Sequence, residues 1–307
     1  MVLKSKDLWL LYLKLFLTVF VWGMSFVATK YLIPHIAPIS VVFSRVLIGL
    51  MVLGILLRKR NVSLRVSKSV IPWFLFFGVI AIYMHLWVQA YALYSSKAST
   101  ATWIVATTPI FIAILSRFLL KENLSYLKIL GIAISFFGVL VVVSEGDISL
   151  VLKQGISTVG DIIILVTSFN WAFFSVISRL FLHRHREIPQ LVSIFYTVLF
   201  GFILIGITFI LKGYFNDLII VLRDFKLLVA VLFLGLLSTG LAYAFWYDAL
   251  DALEASKVGV FMNIQPVVGM VAASIVLGEE MSFSLIFGGI LILIGVYFVN
   301  KTNRALK

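Results

Sequence analysis

The sequence predicts an all-α polytopic membrane protein with ten transmembrane helices arranged as two inverted five-helix repeats. Three observations carry this expectation. Apolar residues make up 62% of the 307 residues, charged residues only 12%, and the mean hydropathy is +1.14; soluble domains are about a quarter charged. Apolar runs of about twenty residues, the length that crosses a bilayer, recur along the whole chain. The chain also matches itself at a shift of 157 residues: Ala92 to Val142 laid on Ala249 to Val299 gives thirteen identities in fifty-one positions, where this composition gives roughly four by chance. Pro109 with Pro266, Glu122 with Glu279, Gly131 with Gly288 and Gly138 with Gly295 are among them.

The expected spans are 9–31, 38–57, 70–93, 98–120, 125–144, 157–181, 189–211, 226–250, 256–277 and 282–300. Repeat 1 then occupies 9–144, an extracytoplasmic connector 145–156, repeat 2 157–300, and a cytoplasmic tail 301–307. Lys4 and Lys6 precede the first apolar stretch as in a signal peptide, but the stretch is too long and lacks a small-residue cleavage site, so it reads as a retained span. Pro34 and Pro38 break what would otherwise be one overlong helix and redirect the chain into span 2.

Arg45 lies seven residues into span 2, about 10 Å deep at ~1.5 Å per residue. An arginine there costs at least about 2.5 kcal/mol on insertion scales and should face protein or water. It reads as a gating or structural residue that caps carbonyls of a broken neighbour or snorkels outward, with attraction of a carboxylate as the alternative. In span 3, His85 and Gln89 are one turn apart and share a face. His85 is the one mid-membrane side chain of a type that can change charge near neutral pH, so proton coupling, if present, falls on it; a neutral histidine bonded between helices is the competing reading.

Spans 4 and 9 are interrupted at matching places, by Thr107-Thr108-Pro109 and Asn263-Ile264-Gln265-Pro266. A proline inside a helix removes a backbone hydrogen bond and kinks the chain, and paired interruptions point to a transporter's site or hinge. In spans 5 and 10, Gly131 and Gly138, and Gly288 and Gly295, are seven residues apart and face one way, which suits close packing of the two helices. Glu122 and Glu279, just before these spans, read as caps of their N-termini.

Lys and Arg sort by topology. With ten spans and both termini cytoplasmic, eighteen of the 25 fall inside and six outside, Arg45 being within a span, as the bias of short loops requires. An odd number of spans per half makes the halves inverted copies, the arrangement behind alternating access. The predicted location is the plasma or inner membrane.

At Trp22-Gly23-Met24-Ser25-Phe26, followed by Lys30, Pro34, Pro38 and Arg45, the chain resembles EamA-type members of the drug/metabolite transporter superfamily. Asn170-Trp171-Ala172 with Arg179 and Pro189 echo that start in the second half, and Leu120-Lys121-Glu122 and Leu277-Gly278-Glu279 pair across the halves. The resemblance covers essentially the whole chain. It implies a ten-helix exporter of small metabolites or amino acids whose central cavity is walled by spans 1, 3, 4, 6, 8 and 9, and it implies no particular substrate.

Deep aromatic and amide residues supply the candidate substrate site: Trp22, Ser25, His85, Gln89, Trp103, Thr107, Asn170, Trp171, Tyr243, Trp246, Asn263 and Gln265, with Arg45, Pro109 and Pro266 as gating or structural residues. Such a lining holds an apolar or aromatic body and bonds an amine or carboxylate. It would not neutralise a phosphate ester, which needs several cations. A net charge of +12 without an aromatic-interleaved basic patch gives no nucleic-acid binder. Mid-membrane positions hold no Asp or Glu, which leaves no convergent catalytic groups, and no phosphate-cradling Gly-rich loop ending in Lys occurs. No metal or cofactor is expected; His183 and His185 lack acidic or thiol partners. Secondary transport of small metabolites, apolar or aromatic amino acids among them, is therefore the leading expectation. A passive channel or facilitator, and a sugar-phosphate or nucleotide-type exchanger, remain the alternatives.

Overall fold

The computed structural model describes residues 5–119, 126–147, 158–252 and 261–301. Glu122, most of the 145–156 connector, the starts of the expected spans 5, 6 and 9 and the tail after Lys301 lie outside these residues. Among the described residues, eight helices are long and apolar enough to cross a membrane: α1 (Trp9–Leu32), α2 (Pro38–Lys59), α3 (Lys68–Ala92), α4 (Ala98–Leu119), α5 (Tyr126–Val143), α6 (Val159–Arg184), α7 (Gln190–Lys212) and α9 (Phe225–Trp246). Two shorter apolar helices, α10 (Met262–Leu277) and α11 (Phe283–Val299), follow. The sequence did not foresee α8 (Phe215–Arg223), a short helix in the connection from α7 to α9.

Pro38 stands in the first turn of α2, where its missing N–H leaves no bond unmade. Pro109 and Pro266 do the same in interrupted helices. In α4 the helix stops at Val105 and restarts at Thr108, and in α10 a 3₁₀ turn, Met262–Ile264, precedes the helix from Gln265. The prolines therefore open a new helical segment instead of kinking a continuous one.

Two wider interruptions carry no proline. Within α3, Gly78–Met84 is π-helical, and within α9, Phe233–Leu241 is. The 157-residue shift lays Gly78 on Gly235 and Met84 on Leu241, so the same defect recurs at the same place in both halves. A π turn bonds i to i+5 and loosens the ladder, and such turns concentrate at functional sites.

The helices pack in reciprocal pairs. Helix α2 lies on the π segment of α9 and α7 on that of α3; α1 packs on α9 and α10, α6 on α3 and α4, α4 on α10, and α5 on α11. The α5–α11 contact is backbone to backbone. A Cβ added to Gly138 would come 2.7 Å from the Gly288 carbonyl oxygen, and one added to Gly131 2.6 Å from that of Gly295, so glycine is what permits the approach.

Ionic and polar clasps close the two ends. At one end Glu279 accepts hydrogen bonds from the Ala98 and Ser99 amides at 2.8 and 3.0 Å and from Ser99 Oγ at 2.6 Å. It thus caps the N-terminus of α4, not that of the helix after it as the sequence led us to expect, because the α10–α11 turn lies over α4. Asp217 of α8 caps α2 in the same manner, accepting from the Ala37 amide and Ser40 Oγ. Lys30 Nζ donates to the Leu93 and Ser96 carbonyls. At the other end Asp248 binds Arg60 and Lys14.

Candidate functional site

The apolar side chains gather into two main clusters, one built around α1, α4, α5, α10 and α11, the other around α2, α3, α6 and α7. A cavity of about 70 Å³ lies between them, lined from α1 by Trp22, Ser25 and Phe26, from α2 by Arg45, from α3 by His85, Leu86 and Gln89, and from α6 by Ser168 and Trp171. Val105 and Thr108 of α4, Ser238 and Tyr243 of α9, and Met262 and Gln265 of α10 complete it. Small-molecule sites usually enclose ~300–1,000 Å³, so in this conformation the helices must part before a metabolite enters. A smaller pocket continues from Arg45 towards Leu93, where Lys30 is bonded.

Of the two π segments, that of α9 reaches the wall, at Ser238, and each segment receives a hydrogen bond from a neighbouring helix. Trp22 Nε1 donates to the Ser238 carbonyl at 3.1 Å, and Asn170 Nδ2 donates to the Ile80 carbonyl at 2.7 Å. A carbonyl loosened by π geometry at membrane depth needs a donor, and each half supplies one from the first helix of its own partner pair, α1 for α9 and α6 for α3. Trp22 also meets Tyr243 edge-on at 5.7 Å between centroids and Trp246 at 5.2 Å.

Arg45, 8% exposed, donates from Nε to Thr239 Oγ1 at 3.1 Å and from Nη2 to Ser238 Oγ at 3.2 Å. It caps hydroxyls rather than the backbone carbonyls anticipated, and it does not snorkel. His85 Nδ1 lies 3.2 Å from the Thr167 carbonyl oxygen; a carbonyl only accepts, so Nδ1 carries a proton. The imidazole packs 4.9 Å from Trp171. Outside the spans, the Glu145 carboxylate hydrogen-bonded to Lys97 raises that ammonium above its ordinary value.

Of the twelve expected substrate residues, the cavity brings together Trp22, Ser25, His85, Gln89, Trp171, Tyr243 and Gln265, together with Arg45. Five lie elsewhere. Trp103 is buried against Gly289, whose missing side chain leaves room for the indole. Thr107 turns back on its own helix, onto the Ile104 carbonyl. Asn170 is committed to Ile80. Trp246 meets Trp22 at a 48° tilt but packs with the cluster of Leu15 and Ala249. Asn263 borders a separate small pocket with Pro109 and Pro266. Sequence reasoning passed over Ser168 and Ser238 and took Thr108 only as part of the interruption in span 4; in Ser238-Thr239-Gly240 the signal was present, a polar dip inside an apolar span.

A family model described as the EamA-like transporter family matches residues 9–144 and 158–301. The chain belongs to this family. An uncharacterized transporter of Archaeoglobus fulgidus is 28% identical to this EamA chain over 92% of it and 96% of the relative. A probable amino-acid metabolite efflux pump of Salmonella typhimurium is 24% identical over 92% and 91%. One crystal structure shares its fold with a TM-score of 0.66 at 19% identity, over 94% of this chain and 97% of the other. As an EamA protein with this helix set, the chain is a multi-pass membrane protein.

Proposed function

We propose that this EamA-family chain is a secondary transporter that exports small metabolites, apolar or aromatic amino acids among them, by alternating access through the cavity around Arg45. The observation that carries the reading is the convergence of Trp22, Gln89, Trp171 and Tyr243, from α1, α3, α6 and α9, on one cavity. The relative named as a probable amino-acid metabolite efflux pump supports it. In this reading all ten apolar helices cross the membrane, α8 lies outside the count, and the halves 9–144 and 157–300 are inverted copies. The reciprocal helix pairs and the paired π segments support that symmetry, which is the architecture of alternating access. Both termini face the cytoplasm of a cell membrane, by the Lys/Arg distribution. His85 is the residue through which a proton gradient would act.

Uptake into proteoliposomes across a panel of amino acids, nucleosides and phosphorylated sugars, with and without an imposed pH gradient, tests the reading. Saturable flux of apolar or aromatic amino acids, with counter-exchange, is expected. Saturable flux of a phosphorylated sugar with none of the amino acids would overturn it.

A further inference from the structure

We propose that Arg45 is the anchor for a single carboxylate on the transported metabolite, and that this carboxylate takes the guanidinium over from Ser238 and Thr239. The inference rests on the transporter reading above and adds the recognised group and the step that follows binding.

Arg45 borders both the central cavity and the smaller pocket leading towards Leu93, and Ser25, Phe26, Leu86 and Gln89 border both with it. A solute passing between the two pockets therefore passes the guanidinium. Two of that group's five donors go to neutral hydroxyls, and among the described residues none of the ion pairs includes it. A buried cation held only by hydroxyls gains from a carboxylate, because the carboxylate adds an opposite charge and a planar, bidentate match to the guanidinium fork that two separate hydroxyls do not supply. The rest of the lining fits the rest of such a molecule: Trp22, Trp171 and Tyr243 for an apolar or aromatic body, and the amides of Gln89 and Gln265 for an ammonium group. One cation matches one carboxylate, and a doubly charged phosphate monoester would be left half neutralised.

The hydroxyls lie where exchange would be felt. Ser238 and Thr239 belong to the π segment of α9, which meets α2 closely: a Cβ on Gly49 would come 2.4 Å from Thr239 Cγ2, and one on Gly240 2.6 Å from Val52 Cγ1. When Arg45 turns to a carboxylate, its two bonds from α2 to α9 are lost, so loading loosens the seam beside the cavity.

The test uses proteoliposomes and three matched pairs, the L-isomers of phenylalanine, leucine and methionine with their amides, each measured for saturable flux and for competition. With the intact protein, at least one acid is expected to bind about tenfold or more tightly than its amide, the range of one lost charge-assisted bond. Arg45→Gln should remove the preference, bringing the ratio of acid to amide affinity to about one. Ser238→Ala combined with Thr239→Ala, which removes the competitors, should tighten the acid; a purely structural bond would give weaker binding of acid and amide alike. Equal affinity for acid and amide in the intact protein overturns the anchor and leaves the transporter reading standing. No saturable flux for any pair, nor for the wider panel, removes both. The comparison within the intact protein decides the matter even if Arg45→Gln fails to fold.

Discussion

Arg60 holds Asp248 with both arms of its guanidinium, Nη1 to Oδ1 at 2.5 Å and Nη2 to Oδ2 at 3.0 Å, while Lys14 Nζ lies 3.0 Å from Oδ2. The end of α2, the start of α1 and the extension of α9 are thereby joined through one carboxylate. Fully exposed pairs contribute about 0–1 kcal/mol each, but Asp248 is only 17% exposed and is held bidentately by Arg60 and by Lys14 as well, so the clasp is a firmer tie than a surface pair and its loss should be felt at this end. Asp248→Asn should widen the distribution of distances between spin labels at positions 9 and 58 towards longer values. An unchanged distribution would mean that the clasp does not hold this end closed.

The cap that Glu279 places on α4 makes a stability prediction. Glu279→Gln keeps the shape but loses the charge and one acceptor oxygen, at a cost of about 1–2 kcal/mol. The melting temperature in detergent should fall by a few degrees, while Glu280→Gln, at an exposed neighbour, should leave it unchanged. Equal effects from the two would show that net charge, not capping, is at work.

Nδ1 of His85 is committed to Thr167, which leaves Nε2 for any proton carried across. His85→Ala should therefore abolish the response of uptake to an imposed pH gradient while counter-exchange continues. A gradient response that survives the substitution would assign coupling to another group.

Topology can be checked without background, since the chain has no cysteine. Single cysteines at Ser63 and at Lys97 should react with a membrane-impermeant maleimide from opposite sides, Ser63 from the cytoplasm. Reaction of both from the same side would remove the inverted-repeat reading.

How much of this was legible beforehand depended on the range of the physics involved. Periodic apolar runs gave the helices, and the spacing of Gly131, Gly138, Gly288 and Gly295 gave the α5–α11 contact, because both are local patterns. Trp22, Gln89 and Trp171 were found because polar or indole groups at membrane depth need partners. Trp103 lies off the cavity although its span is rich in hydroxyls, because Thr102, Thr107 and Thr108 turn back onto their own helix and do not mark which face looks inward; Gly289, from a helix almost two hundred residues on, leaves the room the indole fills. The π segments left no mark in composition, since a change from i+4 to i+5 bonding needs no special residue. Their places, at Gly78–Met84 and Phe233–Leu241, and Glu279 reaching across to α4, follow from tertiary packing.

Accessibility of a cysteine at Ser25, on the cavity wall, tests alternating access most directly. A membrane-impermeant thiol reagent should modify Ser25→Cys from either side of sealed vesicles, more slowly when a transported amino acid is present, and without any accompanying ion leak. Modification from both sides that substrate does not slow, together with an ion leak, would mean a continuous pore and would contradict the account.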